Sequence, residues 1–159
     1  MRRSFLALLL AWLAAGCAAP LPTRTVASPL PADGLLTERA VLTARGKQFA
    51  LNGYLSQSAA GGRRLIITEM FGQTLADVLI KPDGTVQVLR SSRVLRPAWI
   101  KRFIAADVQC IFGGSPGPVR KLSETHFEIR RLWYKLDVQI VETRPGPQPK
   151  ELFDTPAKP

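Results

Sequence analysis

Between Gln48 and Gln57 apolar and polar residues alternate. Phe49, Leu51 and Leu55 fall on one side with Gly53 in step, and Gln48, Asn52 and Ser56 fall on the other. A period of two marks a strand with one buried face. Similar short runs at 40–44, 64–70, 74–80 and 86–89 predict further strands. They are separated by Arg45-Gly46-Lys47, by the loop 58–62, by Phe71-Gly72, and by the turn sequence Lys81-Pro82-Asp83-Gly84. Links this short join only antiparallel neighbours, because parallel pairs need long crossovers. After Arg90 the period changes. Trp99, Ile100, Phe103, Ile104, Val108 and Ile111 recur at steps of three and four, Pro97 suits a first turn, and Gly113-Gly114 supplies a stop. These signals predict an amphipathic helix over 97–111. Strands return at 119–122, at 126–131, and along Leu132, Tyr134, Leu136, Val138 and Ile140. The expected class is α+β, mainly antiparallel β: a curved sheet or unclosed β-barrel with the helix as its lid.

The two ends of the chain read differently. Met1 to Cys17 joins a basic start (Arg2, Arg3) to an apolar run from Phe5 to Ala15, too short for a membrane span. Leu13-Ala14-Ala15-Gly16-Cys17 resembles the lipobox of bacterial lipoproteins, which implies that Cys17 is lipidated and becomes the first mature residue. Ala18 in the next position, where a retention signal would place Asp, resembles lipoproteins sent to the outer membrane. Residues 1–16 are thus expected to be a signal peptide, 17–36 the lipidated Cys and a Pro-rich tether, 37–143 the β-rich domain, and 144–159 a Pro-rich flexible tail. Cys110 is the one other cysteine, so an internal disulfide is not expected after lipidation, and stability must come from a core. Its apolar neighbours mark it as a buried thiol.

The formal net charge is +10, and loss of Arg2 and Arg3 with the leader leaves the chain strongly basic. On an exported, tethered chain that excess points to anionic lipid head groups or acidic protein surfaces, and not to nucleic acid. Arg90, Arg93, Arg96, Lys101 and Arg102 would form a basic collar at the entrance to the helix. An enzyme should show a nucleophile, a base or a set of ligands. His126 is the lone histidine, and no nucleophile elbow, zinc motif or Walker loop is present. Asp77, Asp107, Glu124, Glu128 and Asp137 are scattered. The chain is therefore expected to be a non-enzyme without metal or cofactor. Binding fits better: a curved sheet under one helix can enclose an apolar pocket, while plain core packing of the helix on the sheet is the default alternative. Phe49, Leu51, Leu55, Leu136, Val138 and Ile140 are its expected sheet lining, with Trp99, Phe103 and Ile104 on the lid.

Gly46-Lys47-Gln48-Phe49-Ala50-Leu51-Asn52-Gly53-Tyr54-Leu55, Phe71-Gly72-Gln73-Thr74-Leu75-Ala76 and Asp83-Gly84-Thr85-Val86 resemble the strand progression of the outer-membrane lipoprotein receptor family LolB. Together with Ala106-Asp107-Val108-Gln109 and Tyr134-Lys135-Leu136-Asp137-Val138-Gln139-Ile140, they are still more similar to a group of bacterial lipoproteins with a domain of unknown function. The resemblance implies an unclosed barrel with a helical lid whose cavity accepts acyl chains. It also implies a role in receiving lipid or lipoprotein cargo from a periplasmic carrier protein at the outer membrane. The rival expectation is an accessory envelope lipoprotein that binds no ligand and acts through protein contacts on its basic surface.

Overall fold

The alternating stretches pair as a single antiparallel sheet in the computed structural model, which describes residues 25, 26, 31 and 33–154. Its strands are β1 (Gly34–Ala44), β2 (Lys47–Gln57), β3 (Arg63–Glu69), β4 (Thr74–Ile80), β5 (Val86–Ser91), β6 (Val119–Ser123), β7 (His126–Arg130) and β8 (Tyr134–Pro145). They lie in the order β5-β4-β3-β2-β1-β8-β7-β6. The two edges, β5 and β6, do not pair, so the curved sheet stays unclosed, and the chain between them forms one 16-residue helix, α1. This helix runs through Pro97–Trp99, a π-helical stretch Ile100–Ile104 and Ala105–Phe112. It links the two edges of the sheet and covers the concave face. No helix among the described residues is long and apolar enough to cross a membrane.

Each strand sends alternate residues beneath the helix. Leu36, Leu55, Leu65, Val78, Ile80, Phe127 and Ile129 are almost completely buried there, together with Ile100, Ile111 and Phe112 of α1. Such side chains stabilise the fold by roughly 1.5–3 kcal/mol each. The two halves of α1 differ. Ala105, Asp107, Val108, Cys110, Ile111 and Phe112 in the second half are buried, whereas Pro97, Ala98, Lys101 and Arg102 in the first half are exposed. Cys110 is a free, buried thiol, and its sulfur occupies the space that a Cβ on Gly117 would fill.

Several boundaries differ from the expected ones. β1 begins at Gly34, within the expected tether, and β8 continues to Pro145, within the expected tail, because these two strand ends pair with each other. Val26 packs into the core, and the Pro31 carbonyl accepts a hydrogen bond from Gln57 Nε2 at 3.1 Å. Beyond β8, a 3₁₀ turn at Lys150–Leu152 docks on β3: the Leu152 carbonyl accepts from Arg64 Nη1 at 3.1 Å. Leu132, expected in a strand, sits at the β7–β8 turn and is 95% exposed. The leader, Cys17 and most of the tether lie outside the described residues.

On the outer face several charges are paired. Arg64 and Asp77 form a two-bond pair at 2.9 and 2.7 Å. Glu128 accepts from Arg130 at 2.7 Å and from Lys135 at 2.9 Å, and these cations hold its carboxyl down at about 2. His126 lies on this same patch, 3.8 Å from Asp137.

If α1 is a core element and not a detachable flap, Phe112→Ala should destabilise the protein by about 4 kcal/mol. A shift of the urea midpoint equivalent to less than about 1 kcal/mol would show instead that the helix contributes little to the core.

Candidate functional site

The antiparallel order brings the turns at 45–46, 70–72 and 131–133 and the link 92–96 to one end of the sheet. An apolar cavity opens at this end, between the sheet and the first half of α1. Its outer basin, about 240 Å³, is lined by Leu42, Phe49, Leu51, Leu75, Val94, Leu95, Arg96 and Trp99. A narrower inner basin of about 60 Å³ continues beneath the helix and shares Leu42, Leu51, Leu95 and Trp99 with the outer one. A dry apolar cavity of about 150 Å³ is already enough for a benzene-sized guest. The outer basin exceeds that.

The strand register grades the cavity from mouth to floor. Leu42 pairs across with Phe49 and Leu136, Ala40 with Leu51 and Val138, and Glu38 with Gly53 and Ile140. Leu42 and Leu51 line both basins, while Ala40, Glu38, Gly53 and Val138 line only the inner one. One step further down, Leu36 and Leu55 are completely buried and close the floor. On the helix side Trp99, Ile104, Asp107, Val108 and Ile111 face the inner basin. Trp99 and Ile104 are five positions apart, which in a regular α-helix would set them roughly 140° apart. The π-helical stretch between them turns both side chains onto the cavity.

Most of the expected lining residues therefore meet. Leu51, Leu136, Val138, Trp99 and Ile104 line the inner basin, and Phe49 lines the outer one. Three do not. Leu55 is buried in the layer that closes the floor, and Ile140, across from Glu38, is buried without lining either basin. Phe103 points away from the cavity into an aromatic cluster, with ring centroids 5.7 Å from Trp99, 5.2 Å from Trp133 and 6.2 Å from Tyr134. The same π-helical stretch that brings Ile104 inward displaces Phe103. Arg90, Arg93, Arg96, Lys101 and Arg102 are all exposed and none forms an ion pair among the described residues; Arg96 lines the outer basin, whereas Arg90 stands across from Asp77 on the outer face.

Asp107 secures the helix from inside. Arg131 donates to its Oδ1 from Nε at 2.9 Å and from Nη2 at 2.6 Å, and the Tyr134 hydroxyl donates to Oδ2 at 2.5 Å. Burial pushes the Asp107 carboxyl up, against the pull of these donors. Burial and the neighbouring Asp107 charge push the Tyr134 phenol up. The three groups latch α1 to the β7–β8 turn.

Glu38 is the residue that sequence reasoning passed over. It is 7% exposed, its Oε2 has no hydrogen-bond partner, and it projects into the apolar inner basin. Burial alone pushes its carboxyl up to about 7. Gly53, opposite on β2, leaves the space it needs: a Cβ there would overlap the Glu38 side chain. The signal was present, since Leu36, Glu38, Ala40 and Leu42 alternate inward, with a charge in an apolar series.

No protein-family model and no curated protein matches the chain. Among the described residues no group of three or more His, Cys, Asp or Glu side chains could hold a metal.

The position of Glu38 fixes how stability varies with pH. The folded carboxyl holds its proton more tightly than the usual value of 4.5 implies for the unfolded chain. The contribution of Glu38 to stability is therefore greatest below pH 4.5, falls as pH rises to about 7, and then levels off. The loss amounts to about 3 kcal/mol. Asp107, also raised, adds a slope of the same sign. Glu38→Gln should remove its own share of the slope and make the protein more stable than wild type at mildly alkaline pH. Urea unfolding across this range measures it, and an unchanged slope in the variant would refute the assignment.

Proposed function

We propose that this chain is an outer-membrane-anchored lipoprotein, with its domain in the periplasm, that binds an acyl-bearing ligand in the cavity beneath α1. The ligand is a lipid or the acyl portion of a lipoprotein, and the protein serves envelope lipid or lipoprotein trafficking. The carrying observation is the apolar cavity, open at one end, which runs from Phe49 and Val94 at the mouth to Glu38 at the floor. Its walls are hydrocarbon and aromatic, which suits an acyl chain. The exposed Arg96 at the mouth suits the anionic head group that such a chain carries. The lipobox-like ending at Cys17 and the resemblance to the LolB family support the same reading. No step of this function calls for catalysis.

Trp99 lines both basins, whereas Phe103 lines neither, which separates their expected effects. In a soluble form starting at Ala18, Trp99→Ala should weaken binding of a fluorescent fatty acid by about tenfold, the loss of one well-buried contact. Phe103→Ala should lower thermal stability and leave the affinity within about threefold. Mass spectrometry of the purified soluble form should find co-purifying lipid or acylated peptide. A protein that is empty as isolated and fails to bind the fluorescent fatty acid would overturn the proposal. The collar favours one further reading, an accessory lipoprotein that docks acidic envelope proteins without a ligand. Such a protein would lose its partner when Arg93, Arg96 and Lys101 are replaced by Glu, with Trp99→Ala having no effect.

A further inference from the structure

A carboxyl at the bottom of an apolar cavity is costly to its own fold. Placing an ionisable group among hydrocarbon without a partner destabilises the chain, and a neutral side chain of similar size would avoid that cost. Asp107 shows how this protein treats a buried acid it needs for structure, with three donor groups from Arg131 and Tyr134. Glu38 receives none at its Oε2. The groups that face the same basin offer no cation to it. α1 contributes Asp107, itself an acid, and β8 contributes the Tyr134 hydroxyl, which is bonded to Asp107. β2 contributes Asn52 and Gly53, and β3 contributes Leu65 and Ile67. The guanidinium of Arg131, which reaches Asp107 on α1, is bonded to that acid. Gly53 moreover keeps open the space in which the carboxyl stands.

From this geometry we propose that Glu38 selects the ligand, taking an apolar chain whose buried end carries a hydrogen-bond donor, a hydroxyl or an amine, over a plain hydrocarbon end. The proposal rests on the cavity being a ligand site, as argued above. An anionic head remains at the mouth beside Arg96, which lines the outer basin. The chain runs inward past Leu42, Leu51 and Trp99, and its donor reaches Glu38 at the floor. The ligand's hydroxyl or ammonium donates to the carboxylate and supplies the bond that the fold withholds. A carboxylate poised to titrate near neutrality gains most from such a donor, because bonds to an ionised acceptor are the stronger kind.

Three probes of equal length test this: lauric acid, ω-hydroxylauric acid and ω-aminolauric acid, titrated calorimetrically into the soluble protein at mildly alkaline pH. Wild type should bind both ω-substituted probes about tenfold more tightly than lauric acid. Glu38→Leu should abolish that preference while keeping lauric acid binding. Glu38→Gln, nearly the same shape, should keep the hydroxyl preference through its amide oxygen and lose most of the amine preference. If Glu38→Leu does not fold, Glu38→Gln and carbon NMR of the Glu38 carboxyl decide the matter. The ω-substituted probes should lower its titration midpoint, and lauric acid should not. Lauric acid binding wild type as tightly as the other two, or Glu38→Leu retaining the preference, would overturn the proposal while leaving the cavity a ligand site. Failure of all three probes to bind wild type would overturn both.

Discussion

A sheet that curves without closing must have its concave face covered, and among the described residues a single helix does most of the covering. β5 and β6 never pair, so the apolar side chains of eight strands depend on α1 to exclude water. The helix meets this demand unevenly. Its second half is core, ending in the buried Ile111 and Phe112, and it is latched to the β7–β8 turn through Asp107. A latch of this kind contributes through position more than through net energy, because desolvating two charges offsets most of their attraction. The first half of α1 lies over the mouth, held by the buried Ile100 and by the ring cluster around Phe103.

The cavity follows from that asymmetry. Where the helix is fully packed, the layer of Leu36 and Leu55 closes the floor, and toward Pro97 the cavity opens between sheet and helix. The π-helical stretch lies at the transition and turns Trp99 and Ile104 to one side. Such an irregularity costs helix hydrogen-bond geometry and recurs at functional sites. Glu38 is a second departure from local consistency, in the same cavity. Natural sequences concentrate such conflicts at sites under functional demand.

Electrostatics divide the surface in the same way. Toward the outer face of the sheet, Arg64, Arg130 and Lys135 are matched with Asp77, Glu128 and Asp137. Arg96 at the mouth, and Arg93, Lys101 and Arg102 near it in sequence, have no acidic partner among the described residues. Arg39, Lys81, Arg120 and Lys150 are likewise exposed without an ion pair among the described residues, so the basic excess extends beyond the end where the apolar cavity opens. Paired charges contribute little at a solvated surface, whereas an unpaired cluster sets the local potential that an incoming partner meets.

Much of the architecture was legible along the chain. Period two in Phe49, Leu51 and Leu55 and the short Gly- and Pro-containing links demanded antiparallel strands, and the change of period after Arg90 demanded a covering helix. These are local signals, set by the geometry of one strand or one helical turn. The ends were misplaced because Gly34 and Pro145 are strand residues only by pairing with each other across the whole chain. Composition alone made them tether and tail. Tertiary structure also decided which apolar residues line a space and which fill one. Leu51 and Leu55 share a face and a residue type, yet one looks into the cavity and the other seals it, since only the depth beneath α1 differs. The same holds for Glu38. Alternation placed it inward, but its isolation depends on the Gly53 gap and on Asp107 engaging Arg131, contacts between elements distant in sequence that no local pattern encodes.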